Sequence, residues 1–155
     1  MADYPQEKAQ LPCPASLLIP HASPMLLIDA LLSREGDRAT ASAFLSHESM
    51  FKGSQRGILP EYFIEIIAQT MAAANGFDAI QNLSPVKNGF ITEVSTFEIH
   101  TTSTEKTAFE IRVEEIMALG SMKLMKGEVF ADDTVLASGE IKIYQDDQDA
   151  DTMVT

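Results

Sequence analysis

Hydrophobic and polar positions along this chain keep two different periods. Between Pro60 and Gly76 the stretch "PEYFIEIIAQTMAAANG" is apolar on almost every side, which in a water-exposed fold marks a buried helix. Pro60 suits its first turn, because the N–H that proline lacks has no helical partner there, and Gly76 is the expected stop. Elsewhere the period falls to two. "DRATASAFLS" (37–46) alternates as a strand and pairs, through the turn "REGD", with "MLLIDALLS" (25–33), whose own pattern fits helix or strand. "SPVKNG" (84–89) is turn chemistry. After it come "GFITEVSTFEIHT" (89–101), "KTAFEIRVEEIMAL" (106–119), "SMKLMKGEVFADD" (121–133) and "TVLASGEIKIYQ" (134–145). The short connections "ALGS" and "ADDT" predict a meander of long antiparallel strands.

Two strands, one long apolar helix and about four more strands make an α+β chain. A helix that is apolar all round needs cover all round. A curved antiparallel sheet wrapped around one long central helix supplies most of it, and a partner subunit supplies the rest. That arrangement is the hot-dog fold. No repeat or second domain is visible. The chain divides into an N-terminal extension rich in proline and polar residues (1–16), a hot-dog domain (17–145) and an acidic C-terminal tail (146–155).

Composition narrows the function. The formal net charge of -12 argues against nucleic acid, whose binding rests on Lys and Arg neutralising phosphates. The single cysteine, Cys13, excludes an internal disulfide framework and fits a reducing compartment. The polar start "MADYPQEKAQ" has no signal-peptide pattern, and no apolar run is long enough for a membrane span, so a cytoplasmic protein is expected. His21, His47 and His100 lie far apart with no metal-ligand spacing; no metal or cofactor is expected. There is no phosphate-cradling glycine loop and no nucleophile elbow.

One residue conflicts with the apolar pattern. Glu65 sits mid-helix among Ile64, Ile66 and Ile67. Glu61, Glu65, Gln69 and Ala72 or Ala73 share one helical face. Either that stripe faces water, or Glu65 is held in an apolar cleft. Desolvating a carboxylate favours its protonated form, and so fits it for proton transfer.

Two motifs carry a resemblance. "LIPHASPMLLIDALL" resembles a segment of 3-hydroxyacyl carrier-protein dehydratases, and "FKG" with "ILPEYFIEIIAQTMAAANGF" resembles their central helix. "GFITEVSTFEI" stands where their third strand does. The likeness spans about residues 17–144, closest to a divergent branch that includes dehydratases of aryl polyene synthesis. It implies a lyase that removes water from a 3-hydroxyacyl thioester, linked to acyl carrier protein or coenzyme A, in fatty-acid or polyene biosynthesis. It also implies a dimer, joined sheet edge to sheet edge, with a histidine and a glutamate from different subunits in each site. Glu65 falls on the family's glutamate and Gln69 on its glutamine one turn later.

The resemblance fails at one place. The family's catalytic histidine belongs to a glycine-rich loop before the helix, and here that loop reads Gly53-Ser54-Gln55-Arg56-Gly57. The glycine that follows the helix-start proline is replaced by Glu61, so Gly57 is the candidate to offer a substitute N–H to a thioester carbonyl. His21 is the candidate base, set in "PHASP". Ser23 and Pro24 there are expected to form a tight turn beside the acyl tunnel, with a cis Ser23–Pro24 bond open to them. The alternative for His21 is a structural role in fixing that turn. His47, His100 and Asp29 are weaker candidates. Lys52 and Arg56 are candidates to meet a carrier or coenzyme A phosphates, or are ordinary surface charges. Three functions stay open: a dehydratase using Glu65 and His21, a non-catalytic acyl-binding or partner subunit in a homodimer or a heterodimer with a hot-dog homologue, and an acyl thioesterase.

Overall fold

The computed structural model describes residues 8–53, 57–101 and 105–146. Its strands are β1 (Cys13–Pro14), β2 (Ala30–Glu35), β3 (Arg38–Phe44), β4 (Asn88–Ile99), β5 (Ala108–Leu119), β6 (Met122–Ala131) and β7 (Thr134–Asp146), with one helix, α1 (Pro60–Gln81). They form a single antiparallel sheet in the order β1-β2-β3-β5-β6-β7-β4. This is the α+β, hot-dog arrangement that the pattern predicts.

Alternation decides which side of the sheet meets the helix. On β5, Phe109, Ile111 and Val113 are buried, while Glu110, Arg112 and Glu114 point the other way. Val129 on β6 and Ala137 and Ile141 on β7 continue the inner face. Against it α1 lays Tyr62, Phe63, Ile66, Ile67, Ala73, Ala74 and Phe77, and it touches β2, β3, β5 and β6. Thr70 is buried in the same flank and satisfies its hydroxyl on the Ile66 carbonyl at 2.7 Å. Gly127 on β6 lets the helix come close: a Cβ there would stand 2.5 Å from Ile67 Cγ2.

The sequence is ambiguous over 25–33, and the chain settles it as strand from Ala30. The helix does not stop at Gly76, which corrects the expectation from sequence. It continues to Gln81, and the Asn82 N–H closes it on the Asp78 carbonyl. Gly76 serves a different purpose. A side chain there would collide with the Leu18 carbonyl oxygen, so glycine is what lets residues 17–20 lie against the helix.

The segment read as an extension reaches the sheet at its end: Cys13 pairs with Leu31 and Pro14 with Ala30, followed by a 3-10 turn at Ala15–Leu17. Burial pushes the Cys13 thiol pKa up, which suits a packing role rather than a reactive one. The acidic tail beyond Asp146 and the loop residues Ser54, Gln55 and Arg56 lie outside the described residues. Among the described residues no helix is long and apolar enough to cross a membrane.

The sheet has two edge strands, the two-residue β1 and the long β4. Phe90, Ile91 and Val94 are exposed on β4, and its pairing with β7 shifts register twice, between Ile91 and Glu93 and between Ser95 and Glu98. At the second shift Thr96 takes a left-handed backbone (φ 48°), which turns Phe97 inward over Gly139.

Candidate active site

The flank of α1 that turns away from the sheet faces a cavity of about 600 Å³. That is within the usual size of a small-molecule site. Four parts of the chain wall it. The helix contributes Glu65, Ala68, Gln69 and Ala72; residues 17–21 contribute apolar side chains and His21; the start of β4 contributes Gly89 and Ile91; and β7 contributes Ile143. Ala68 and Ala72 follow Glu65 by one and two turns, and their small side chains leave the space that the cavity occupies.

Glu65 therefore belongs neither to bulk water nor to a closed core. About a third of its side chain is exposed, and it opens into the cavity. Gln69, one turn later, is 1% exposed and fully engaged. Its Oε1 accepts the Leu27 N–H at 2.9 Å, which fixes the amide orientation. Its Nε2 then donates to the Met25 carbonyl at 2.7 Å and to Glu65 Oε1 at 3.0 Å. One side chain thus holds the acid and ties the 25–27 segment to the helix. Glu65 Oε2 takes no part in the bond from Gln69.

His21 comes to the same place across a sequence distance that no helical spacing spans. Its Nε2 lies 3.9 Å from Glu65 Oε1, and a third of its side chain is exposed. Its Nδ1 is buried, and no group among the described residues bonds to it. Behind the site, Tyr62 is sealed in an aromatic cluster with Phe51, Phe63 and Phe109. Burial, and to a lesser extent the charge of Asp29, pushes its hydroxyl far above the usual phenol range, so it stays protonated. Burial also raises the Asp29 carboxyl.

The other sequence candidates stand apart from the cavity. Ser23 and Pro24 are exposed and joined by a cis peptide, in a turn that the Met25 N–H closes on the Ala22 carbonyl. The Gly57 carbonyl accepts the Gly53 N–H at 2.8 Å, ahead of the helix. Neither Ser23, Pro24 nor Gly57 lines the cavity. His47 and His100 are exposed; Lys52 Nζ lies 3.5 Å from His47 Nδ1. Among the described residues no group of three or more His, Cys, Asp or Glu is placed to hold a metal ion. Sequence reasoning missed the walls formed by Leu17, Leu18, Ile19 and Val86, because their apolar side chains carry the same signal as core residues.

A family model described as ApeP-like, ApeP dehydratase, matches residues 13–155. No curated protein sequence matches the chain. Among solved structures it is similar to the dehydratase heterocomplex ApeI:P from Xenorhabdus doucetiae, with a TM-score of 0.77 at 17% identity over 87% of this chain and 92% of that one. It is also similar to a hypothetical thioesterase with coenzyme A from Streptococcus pneumoniae, with a TM-score of 0.62 at 7% identity over 77% of this chain and 87% of that one. The E. coli PaaI protein from the phenylacetic acid degradation operon gives a TM-score of 0.60 at 7% identity, over 74% and 80% of the two chains. At these identities the structural matches establish the hot-dog fold.

Proposed function

The chain belongs to the ApeP-like dehydratase family, and from that premise we propose that it removes water from 3-hydroxyacyl thioesters to give 2-enoyl thioesters, with Glu65 as acid and His21 as base. The observation that carries this reading is the meeting of Glu65, held by Gln69, with His21 at 3.9 Å on the wall of an apolar cavity. The acyl chain lies in the cavity. His21 Nε2 takes the proton from the α-carbon, the bond between the β-carbon and its hydroxyl breaks, and Glu65 Oε2 gives its proton to the departing hydroxyl, which leaves as water. The proton on the imidazole then returns to the carboxylate through a bridging water, because 3.9 Å is too long for a direct hydrogen bond, and the pair is reset. Gln69 contributes by keeping Oε1 occupied, so that proton transfer is confined to the other oxygen.

A second reading has its own support. The cavity wall runs out onto β4, whose exposed edge carries Phe90, Ile91 and Val94. The loop before the helix lacks a histidine, and Nδ1 of His21 has no described partner to fix its tautomer. A hot-dog homologue docked along β4 in a heterodimer would bring a base to Glu65 from the other side. The ApeI:P heterocomplex, by its name, is a dehydratase of two different subunits. Carrier or coenzyme A linkage, and a place in fatty-acid or polyene synthesis, belong to either version.

The test is hydration of a 2-enoyl thioester, followed as loss of its ultraviolet absorbance. The expected result is turnover by the parent, a fall of about 10²-fold in Glu65→Gln, and a comparable fall in His21→Ala with the fold intact. Turnover that appears only after a histidine-bearing homologue is added supports the heterodimer. Equal rates in parent and Glu65→Gln remove Glu65 from the mechanism.

A further inference from the structure

The acyl cavity ends against a second, much smaller space of about 30 Å³. Met71, Asn75 and Ile143 line both spaces. Met71 and Asn75 stand one turn apart on α1, and Ile143 faces them from the inner side of β7, so the three make a neck.

The two sides of that neck differ in chemistry. Toward the site the walls are Ala68 and Ala72 on the helix and the apolar residues of the 17–20 segment. Past it the lining is mixed: Arg34, Asp37, Glu115, Lys123 and Gln145 stand beside Ala74, Val113 and Met125. Arg34, Glu115 and Lys123 are already committed. Arg34 clasps Asp78 through Nε at 3.1 Å and Nη2 at 2.8 Å, and Lys123 Nζ meets Glu115 Oε2 at 3.3 Å. A hydrocarbon tip pushed through the neck would strip water from these paired ions, a cost that contact with Ala74, Val113 and Met125 offsets only in part.

We propose that Met71, Asn75 and Ile143 form the length stop of the acyl cavity, admitting a hydrocarbon chain up to the neck and refusing its further carbons. This rests on the reading that the cavity takes an acyl thioester. Met71 is the movable part of the stop: its unbranched thioether fills the gap between helix and strand, and its side chain is 4% exposed. Truncating it joins the two spaces. The added room is lined partly by charged and polar side chains, so a chain ending in a hydroxyl gains more from it than one ending in a methyl group.

The experiment uses the full-length chain and a series of unreactive, saturated acyl-pantetheine amides lengthened two carbons at a time, with Kd read by titration calorimetry. The parent is expected to tighten by roughly tenfold for each added pair of carbons while the chain stays in the apolar part, then to stop tightening at a definite length. Met71→Ala and Ile143→Ala, opening the neck from its two sides, should each move that break to a longer chain. Either variant suffices if the other does not fold. In Met71→Ala the first chain beyond the parent's break should bind several-fold tighter with a terminal hydroxyl than without it. A break that stays at the same length in the folded variants overturns the stop, as does a parent series with no break. Equal binding of hydroxyl- and methyl-ended chains overturns the partly polar character assigned to the smaller space. If no member of the series binds, the acyl-thioester reading itself falls and takes the stop with it, an outcome distinct from a break that does not move.

Discussion

The two flanks of α1 are made from the same helix and have opposite jobs. One flank lays Phe63, Ile66, Ile67 and Phe77 against the sheet, all buried, with Gly127 opposite to bring the surfaces together. The other presents Glu65, Ala68, Ala72 and Asn75, half-buried and facing open space. Small residues appear on both, with different results. Ala73 and Ala74 are filled over by the sheet, whereas Ala68 and Ala72 are left bare. The lesson is that a cavity can be specified by what does not come to meet a helix. Beside β5 the sheet covers it; toward β4 the described residues wall a cavity and do not fill it.

Substitutions sharpen the contrast. The largest effect should be Phe63→Ala on the sheet flank, which leaves a void in the core and should lower unfolding free energy by about 3–5 kcal/mol in urea titration. Next is Glu65→Gln on the cavity flank. Its expected hundredfold loss of hydration rate corresponds to about 2.7 kcal/mol of transition-state stabilisation. The same variant should leave unfolding within about 0.5 kcal/mol of the parent, because the new amide oxygen still accepts from Gln69. A Glu65→Gln protein as unstable as Phe63→Ala would erase the distinction between the flanks. Gly76→Ala comes third. Helix propensity favours alanine by about 1 kcal/mol, but the methyl group meets the Leu18 carbonyl, and overpacking of this kind costs about 1–3 kcal/mol. The net should be a loss of stability near 1 kcal/mol, and a gain would mean that residues 17–20 do not press on the helix. The smallest effect should be Thr96→Asn at the β4 bulge. Threonine in left-handed backbone is strained and asparagine tolerates it, so the variant should melt slightly higher, by about 0.5–1 kcal/mol in stability.

Much of this was legible in the sequence, for physical reasons that also mark where legibility ends. Strands β5, β6 and β7 announce themselves because one face is buried and the other wet, which forces alternation. β1 has only two residues and no period to read. The position of β4 beside β7, at the far edge, is not written in its burial either, since residues 88–94 are exposed and the strand reaches the core at Phe97 and Ile99. Gly76 illustrates a subtler failure. A glycine late in a helical pattern usually signals an end, and only the three-dimensional approach of Leu18 shows it is there to make room. Glu65 and Gln69 could be placed on one face by counting. The arrival of His21 beside them could not, because tertiary contacts between distant segments leave no spacing. That pairing entered as a resemblance, and the structure supplies its distance.

The two register shifts of β4 have a consequence for how the chain behaves in a crowded cell. An exposed strand edge with Phe90, Ile91 and Val94 on it is a template for endless cross-β growth. The bulges cut that template into short lengths: residues 88–91, then 93–95, then 98–99 keep step with β7, and the strand bends between them. A stack of identical copies needs a long, flat run to propagate. A single partner shaped to the bend does not. The same irregularity therefore discourages fibril extension while leaving the edge available for one matched neighbour.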